Sequence, residues 1–150
     1  MHPLLKKMNY KGEGVIHILQ TPENLKGLLQ EVSIEANITE QLKPSGKADF
    51  ILAFCKTQKE VDAIAELSAK TLQGDGLLWF AYPKGTSKKY KADFNRDNGW
   101  QRLGELGFEP VRMVAIDEDW SALRFRRVAF IKTMARSVAL SEEGKKKVKK

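Results

Sequence analysis

Two short stretches of the chain gather the groups best able to hold charge or move a proton. The first, Tyr82-Pro83-Lys84-Gly85-Thr86-Ser87-Lys88-Lys89-Tyr90-Lys91, combines hydroxyls and four lysines around a single glycine. Ammonium and hydroxyl donors on such a loop can surround a phosphate or another anion, which makes Tyr82, Lys84, Ser87 and Lys88 candidate ligand residues. Residues 84–96 carry five basic groups against Asp93 alone, enough to attract anions, although the spacing is not that of a P-loop. The second stretch is Asp117-Glu118-Asp119-Trp120. Adjacent carboxylates suit a metal ion or acid/base chemistry and an indole offers a flat face, so Asp117, Asp119 and Trp120 are also candidates. Against this, consecutive carboxylates in a turn seldom converge on one point. His2 and His17 both lie far from them in sequence, and Arg124 and Arg126 follow closely enough to pair with them across a hairpin.

Cys55 is the only cysteine, so an internal disulfide and a cysteine zinc cluster are excluded. It stands between an apolar run and a helix start, where the helix N-terminus and Lys56 would favour a thiolate. With no histidine placed beside it, a buried apolar cysteine is the expectation. Trp79, Phe80 and Trp100 are expected in the core. Open α/β sheets bind ligands at the carboxyl ends of their strands, which adds Gln20 and Thr21, just after the first strand, to the candidate positions.

Those positions depend on an alternation of apolar runs with helical periodicity. Gly14 to Gln20 is a nearly continuous apolar run, as in a strand covered on both faces. Thr21-Pro22 has the form of a helix start, Thr21 as cap and Pro22 in the first turn, with Leu25, Leu28, Leu29 and Val32 on the inner face. Ser33 to Ile38 alternates Ile34, Ala36 and Ile38 with polar residues and predicts an edge strand, followed by a loop at Lys43-Pro44-Ser45-Gly46. Ala48 to Cys55 predicts a buried strand. Thr57 and Glu60 have capping-box spacing and open a helix with Val61, Ile64, Ala65 and Leu72 inward, stopped by Gly74-Asp75-Gly76. Leu77 to Tyr82 predicts the central strand. A polar loop runs to Asn95, and a short helix over Trp100, Leu103 and Leu106 ends at Gly107, with Phe108 packing beyond it. Val111 to Ile116 and Ser121 to Val128 form a hairpin, with Leu123 and Phe125 on one face and Arg124 and Arg126 on the other. Phe130, Ile131 and Met134 supply a last turn.

Strands alternating with helices imply parallel pairing and right-handed crossovers. The expectation is a three-layer Rossmann-like α/β domain whose mostly parallel six-stranded sheet has the order 2-1-3-4-6-5 and closes with a C-terminal antiparallel hairpin. Its span would be residues 12–136, between a basic tail at 1–11 and a lysine-rich tail at 137–150. The net charge of +7 is uneven: residues 1–12 contribute +3 through Lys6, Lys7 and Lys11, and residues 141–150 another +3, leaving +1 for the body. Nucleic-acid binding through the tails is therefore a weak alternative, because a body of only +1 does not imply a basic face. The chain is 42% hydrophobic and 30% charged, no stretch is apolar enough to span a membrane, and Met1 to Lys11 lacks a signal-peptide pattern. A cytoplasmic location without membrane contact is expected.

The closing strand, glycine-marked helix stop and terminal hairpin resemble the class I methyltransferase fold. Ala48-Asp49-Phe50, Gly76-Leu77-Leu78-Trp79, Tyr82-Pro83-Lys84, Gly99-Trp100 and Ile116-Asp117-Glu118-Asp119-Trp120-Ser121 resemble, more narrowly, a bacterial family of small domains of unknown function. That resemblance implies a fold and no activity. In methyltransferases the turn after the first strand is glycine-rich so that S-adenosylmethionine can approach the backbone. Here it reads Leu19-Gln20-Thr21-Pro22-Glu23, and the acidic residue expected after the second strand has only Glu40 nearby. The sequence thus leads to a non-enzymatic or cryptic binding module on a degenerate methyltransferase-like scaffold, with no cofactor, whose partner is an anionic small molecule or another protein. The alternative is a small enzyme or phosphate binder built on Lys84 to Lys91.

Overall fold

The computed structural model describes residues 1–12, 14–95 and 98–131. Ten elements form the frame: α1 (Pro3–Lys7), β1 (Val15–Leu19), α2 (Lys26–Ser33), β2 (Asn37–Thr39), β3 (Ala48–Phe54), α3 (Gln58–Thr71), β4 (Leu72–Pro83), α4 (Gln101–Glu105), β5 (Phe108–Ala115) and β6 (Trp120–Arg127). The sheet order is β2-β1-β3-β4-β6-β5, as expected. The first four strands pair in parallel, while β6 runs antiparallel to both β4 and β5.

The strand period of two splits the apolar side chains between two layers. Ile51, Ala53, Leu78, Phe80, Tyr82, Leu123 and Phe125 face α3 and α4, packing on Val61, Ile64, Ala65, Trp100 and Leu103. Ile16, Ile18, Phe50, Leu52, Leu77, Trp79 and Trp120 face the other way, onto Leu25, Val32, Leu5 and Met8. The capping box forms as expected: Thr57 Oγ1 accepts the Glu60 N–H at 3.1 Å and Glu60 Oε1 accepts the Thr57 N–H at 3.0 Å.

Several expectations need correction. Residues 1–11 are not a solvated tail. Pro3–Lys7 is helical, Leu5, Met8 and Tyr10 are buried, and Trp79 Nε1 donates to the Met8 carbonyl at 3.3 Å. Thr21 does not cap a helix; its Oγ1 is buried without a hydrogen-bond partner, and the chain enters α2 through a 3₁₀ turn at Glu23–Leu25. Residues 33–36 do not begin a strand either: α2 runs to Ser33, and the Glu35 and Ala36 N–H groups both donate to the Val32 carbonyl. Val32 and Ala36 are both buried whereas Ile34 is 85% exposed, so their spacing of four belonged to a helical end. Leu72 leaves α3 and starts β4, pairing with Ala48. β5 begins at Phe108, three residues before the expected start, with a register shift between Pro110 and Arg112. A 3₁₀ turn at Val128–Phe130 and the buried Ile131 end the described chain; Met134 and the lysine-rich tail at 137–150 lie outside the described residues. No helix among the described residues is long and apolar enough to cross a membrane.

Candidate functional site

The antiparallel register of β4 and β6 sets Pro83 opposite Trp120, so the segment leaving β4 lies beside the turn that enters β6. The two candidate stretches therefore meet. Lys84 N–H donates to the Asp119 carbonyl at 2.8 Å. Ser87, which is buried, donates from Oγ to Asp119 Oδ1 at 2.8 Å and accepts the N–H groups of Tyr90 at 3.0 Å and Lys89 at 3.3 Å. Asp117 Oδ1 accepts the N–H groups of Asp119 and Trp120, each at 2.8 Å. Both aspartates thus bind this chain's own donors rather than converging on a common point. Among the described residues no group of three His, Cys, Asp or Glu side chains is placed to hold a metal ion.

A cleft of about 670 Å³ opens beside this latch, lined by Tyr82, Lys84, Lys91, Phe94, Met113 and Ser121 among others. Tyr82 Oη donates to Met113 Sδ at 3.4 Å. Lys84 and Lys91 supply positive charge, and no carboxylate belongs to the described lining. Lys88 is exposed and lies outside the lining, and Ser87 is turned inward to Asp119. Sequence reasoning missed Phe94, Met113 and Ser121. Met113 was traceable through the hairpin register that sets it opposite Leu123, and Phe94 as a lone apolar residue in a polar loop.

Tyr90 links this region to the first strand. Its hydroxyl donates to Asn24 Oδ1 at 2.5 Å, and its ring lies 5.1 Å from that of Trp120. Lys56 Nζ and Lys89 Nζ stand 5.9 and 5.7 Å from the ring centre. Asn24 follows β1, Lys56 follows β3 and Trp120 adjoins the end of β4, so Tyr90 spans the carboxyl ends of three strands. Trp120 is itself packed edge-on against Phe54, with ring centres 5.2 Å apart. In the first turn Gln20 adopts a left-handed φ of 60°, a conformation that glycine takes without strain. Gln20 lines a separate, mostly apolar depression of about 400 Å³ with Leu19, Lys59, Glu60, Ala63 and Ile64, so it does not join the lysine cleft.

Cys55 is a buried apolar cysteine, as expected, and the thiolate alternative fails on two counts. The side chain is fully buried, and burial pushes its thiol well up, with the Glu60 carboxylate adding to the rise. Glu60 also accepts the Lys56 and Thr57 N–H groups, occupying the helix end that was expected to favour an anion. Arg124 and Arg126 do not pair with the acidic turn. Arg126 makes two bonds to Asp75, at 2.8 and 2.7 Å, and Arg124 approaches the same carboxylate at 3.9 Å, because their alternate positions on β6 face the start of β4 rather than the turn.

No protein-family model matches the chain, and neither does any curated protein. Among solved structures, the fibrillarin pre-rRNA processing protein of Methanococcus jannaschii is similar in fold, at 14% identity and a TM-score of 0.48 over 77% of this chain and 56% of that one. The chain thus spans just over half the length of that protein.

Proposed function

We propose that this chain is a non-enzymatic binding module on a methyltransferase-like scaffold, and that the cleft beside Lys84 and Lys91 receives an anionic small molecule. The Tyr90–Asn24 bridge carries the proposal. A doubly wound sheet seats its ligand in the crevice at the carboxyl ends of the strands where the order reverses, here between β1 and β3. That crevice is crossed by Tyr90, and the adjoining turn offers a left-handed glutamine and a proline without an N–H where backbone donors would be wanted. These residues do not fit S-adenosylmethionine. The neighbouring cleft, by contrast, combines two ammonium groups with the rings of Tyr82, Tyr90 and Phe94 and no described carboxylate. Lys91 is exposed and Lys84 half-buried, and flexible ammonium groups attract an anion without fixing its geometry, so affinity in the millimolar range is expected for a simple ion. Membership of the bacterial family of small domains is part of the same proposal and rests on the residue blocks given above.

Calorimetry with S-adenosylmethionine and S-adenosylhomocysteine, combined with amide NMR titration by inorganic phosphate and adenosine monophosphate, tests the proposal. No heat is expected from the first pair, and the second pair shifts the amides of Lys84, Tyr90 and Lys91. Micromolar binding of either methyl-transfer ligand overturns the lost cofactor site. A cleft whose amides ignore both anions overturns the anion site.

A further inference from the structure

β5 is the last strand of the sheet, and no described strand pairs with its outer side. Sheet edges left open are templates for another chain unless something guards them. The first half of β5 is guarded: Phe108 and Glu109 are fully buried, Pro110 has no N–H, and the register shifts before Arg112. The second half has no proline and no register shift. Arg112 to Ala115 keep regular register with β6, and Arg112, Met113 and Ala115 are exposed, Met113 by 48%. Met113 reaches the cleft and takes the Tyr82 hydroxyl, so this open edge runs directly along the lysine cleft. Lys7 Nζ reaches the Ala115 carbonyl at 3.4 Å, bringing another cation to the same edge.

We infer that the Arg112–Ala115 edge is a docking strand for an extended acidic segment of a partner protein. Main-chain groups of the segment would extend the sheet, an apolar side chain at one alternate position would rest on Met113 and Tyr82, and flanking carboxylates would meet Lys84, Lys91, Arg112 and Lys7. Charge selects this occupant over a second copy of the chain. A two-fold pairing of β5 with its own mate would bring those same four cations together across the axis. The inference uses the positive charge of the cleft and requires no small anion to bind there.

Random decapeptides displayed on phage and selected against the full chain supply the probe, and fluorescence anisotropy of the most enriched peptide measures it. Enriched sequences are expected to alternate apolar residues with Asp or Glu. In a strand, successive N–H groups point to opposite neighbours, so either Arg112→Pro or Met113→Pro removes an outward donor while sparing the bonds to β6. That variant melts near the parent and loses affinity about tenfold or more, which is at least about 1.4 kcal/mol. Met113→Asp, which leaves the backbone untouched, also weakens the acidic peptide, and Lys84→Gln with Lys91→Gln flattens its salt dependence. The proline variants leave the phosphate-induced shifts in place, so failure of the strand and failure of the anion cleft read out separately. Selection of no common pattern, or full affinity in both proline variants and in Met113→Asp, overturns the inference. So does a parent dimer in sedimentation that Met113→Asp dissociates, since the edge would then serve a second copy.

Discussion

Ser87 ties the lysine loop to the acidic turn, and replacing it with alanine measures what that tie contributes. The substitution removes one hydroxyl and leaves little void. It takes the donor from Asp119 Oδ1 at 2.8 Å and the acceptor from the Tyr90 N–H at 3.0 Å, while the longer contact to Lys89 at 3.3 Å adds less. A hydrogen bond to a charged partner contributes about 1.5–3 kcal/mol and a neutral one about 1 kcal/mol. Asp119 is only part-buried, so water replaces some of the lost donor and the lower end of the first range applies. Two neighbouring losses do not add in full, which leaves a cost of about 2 kcal/mol. For a domain of this length that lowers the melting temperature by about 4–8 °C. Urea denaturation of Ser87→Ala, Asp119→Ala and the double variant gives the coupling directly, and hydrogen exchange at the Tyr90 amide gives its location. A coupling of about 1 kcal/mol and faster exchange at Tyr90 are expected. A single-variant loss under about 0.5 kcal/mol, or additive losses in the cycle, would refute the latch.

Two further outcomes follow from the core. Leu5→Ala is expected to cost about 2–5 kcal/mol in urea denaturation, as for any buried leucine, whereas a leucine in a solvated tail would change stability by less than about 0.5 kcal/mol. Cys55 is expected to resist thiol reagents at pH 8 until the chain unfolds. Because burial raises its folded-state pKa, the thiol stays protonated in the folded chain while the unfolded thiol ionises; stability therefore falls above about pH 8.5, by up to about 1.4 kcal/mol per pH unit. Cys55→Ala should flatten that slope. Rapid labelling of the folded protein, or equal slopes in the two proteins, would contradict the burial argument.

The parts of the fold legible in sequence were those fixed by neighbours. Thr57 and Glu60 satisfy each other within one helical turn, and Leu77 to Tyr82 is apolar at every position because both faces of β4 are covered. The strand order followed from the same alternation, through the short crossovers it permits. Where local signals overlapped, the periods misled. Val32, Ile34, Ala36 and Ile38 satisfy a period of two, yet Val32 and Ala36 are also four apart, and the backbone resolves the conflict by continuing to turn through residue 36. In α1 the lysines dominated the count of charges, although Leu5 and Met8 stand three apart on one face and Lys6 and Lys7 occupy the last turn, where cations suit the helix dipole.

The candidate site was legible as an inventory of groups, and much less as an arrangement. Tyr82, Lys84, Asp119 and Trp120 do come together, but the partners that decide what each can do lie far along the chain. Ser87 finds Asp119 across 32 residues and Tyr90 finds Asn24 across 66. A hydroxyl or carboxylate in a loop looks free until its long-range partner is known. Once Ser87 and Asp119 are spent on each other, and Asp117 on its own turn, the described groups lining the cleft are two ammonium ions, the polar side chains of Thr86, Asn95 and Ser121, and the apolar groups around them. The polar loop therefore divides into members that hold the fold and members that face outward. Because Asp117 and Asp119 fall in the first set and Lys84 and Lys91 in the second, the described lining of the cleft is left with attraction for negative charge.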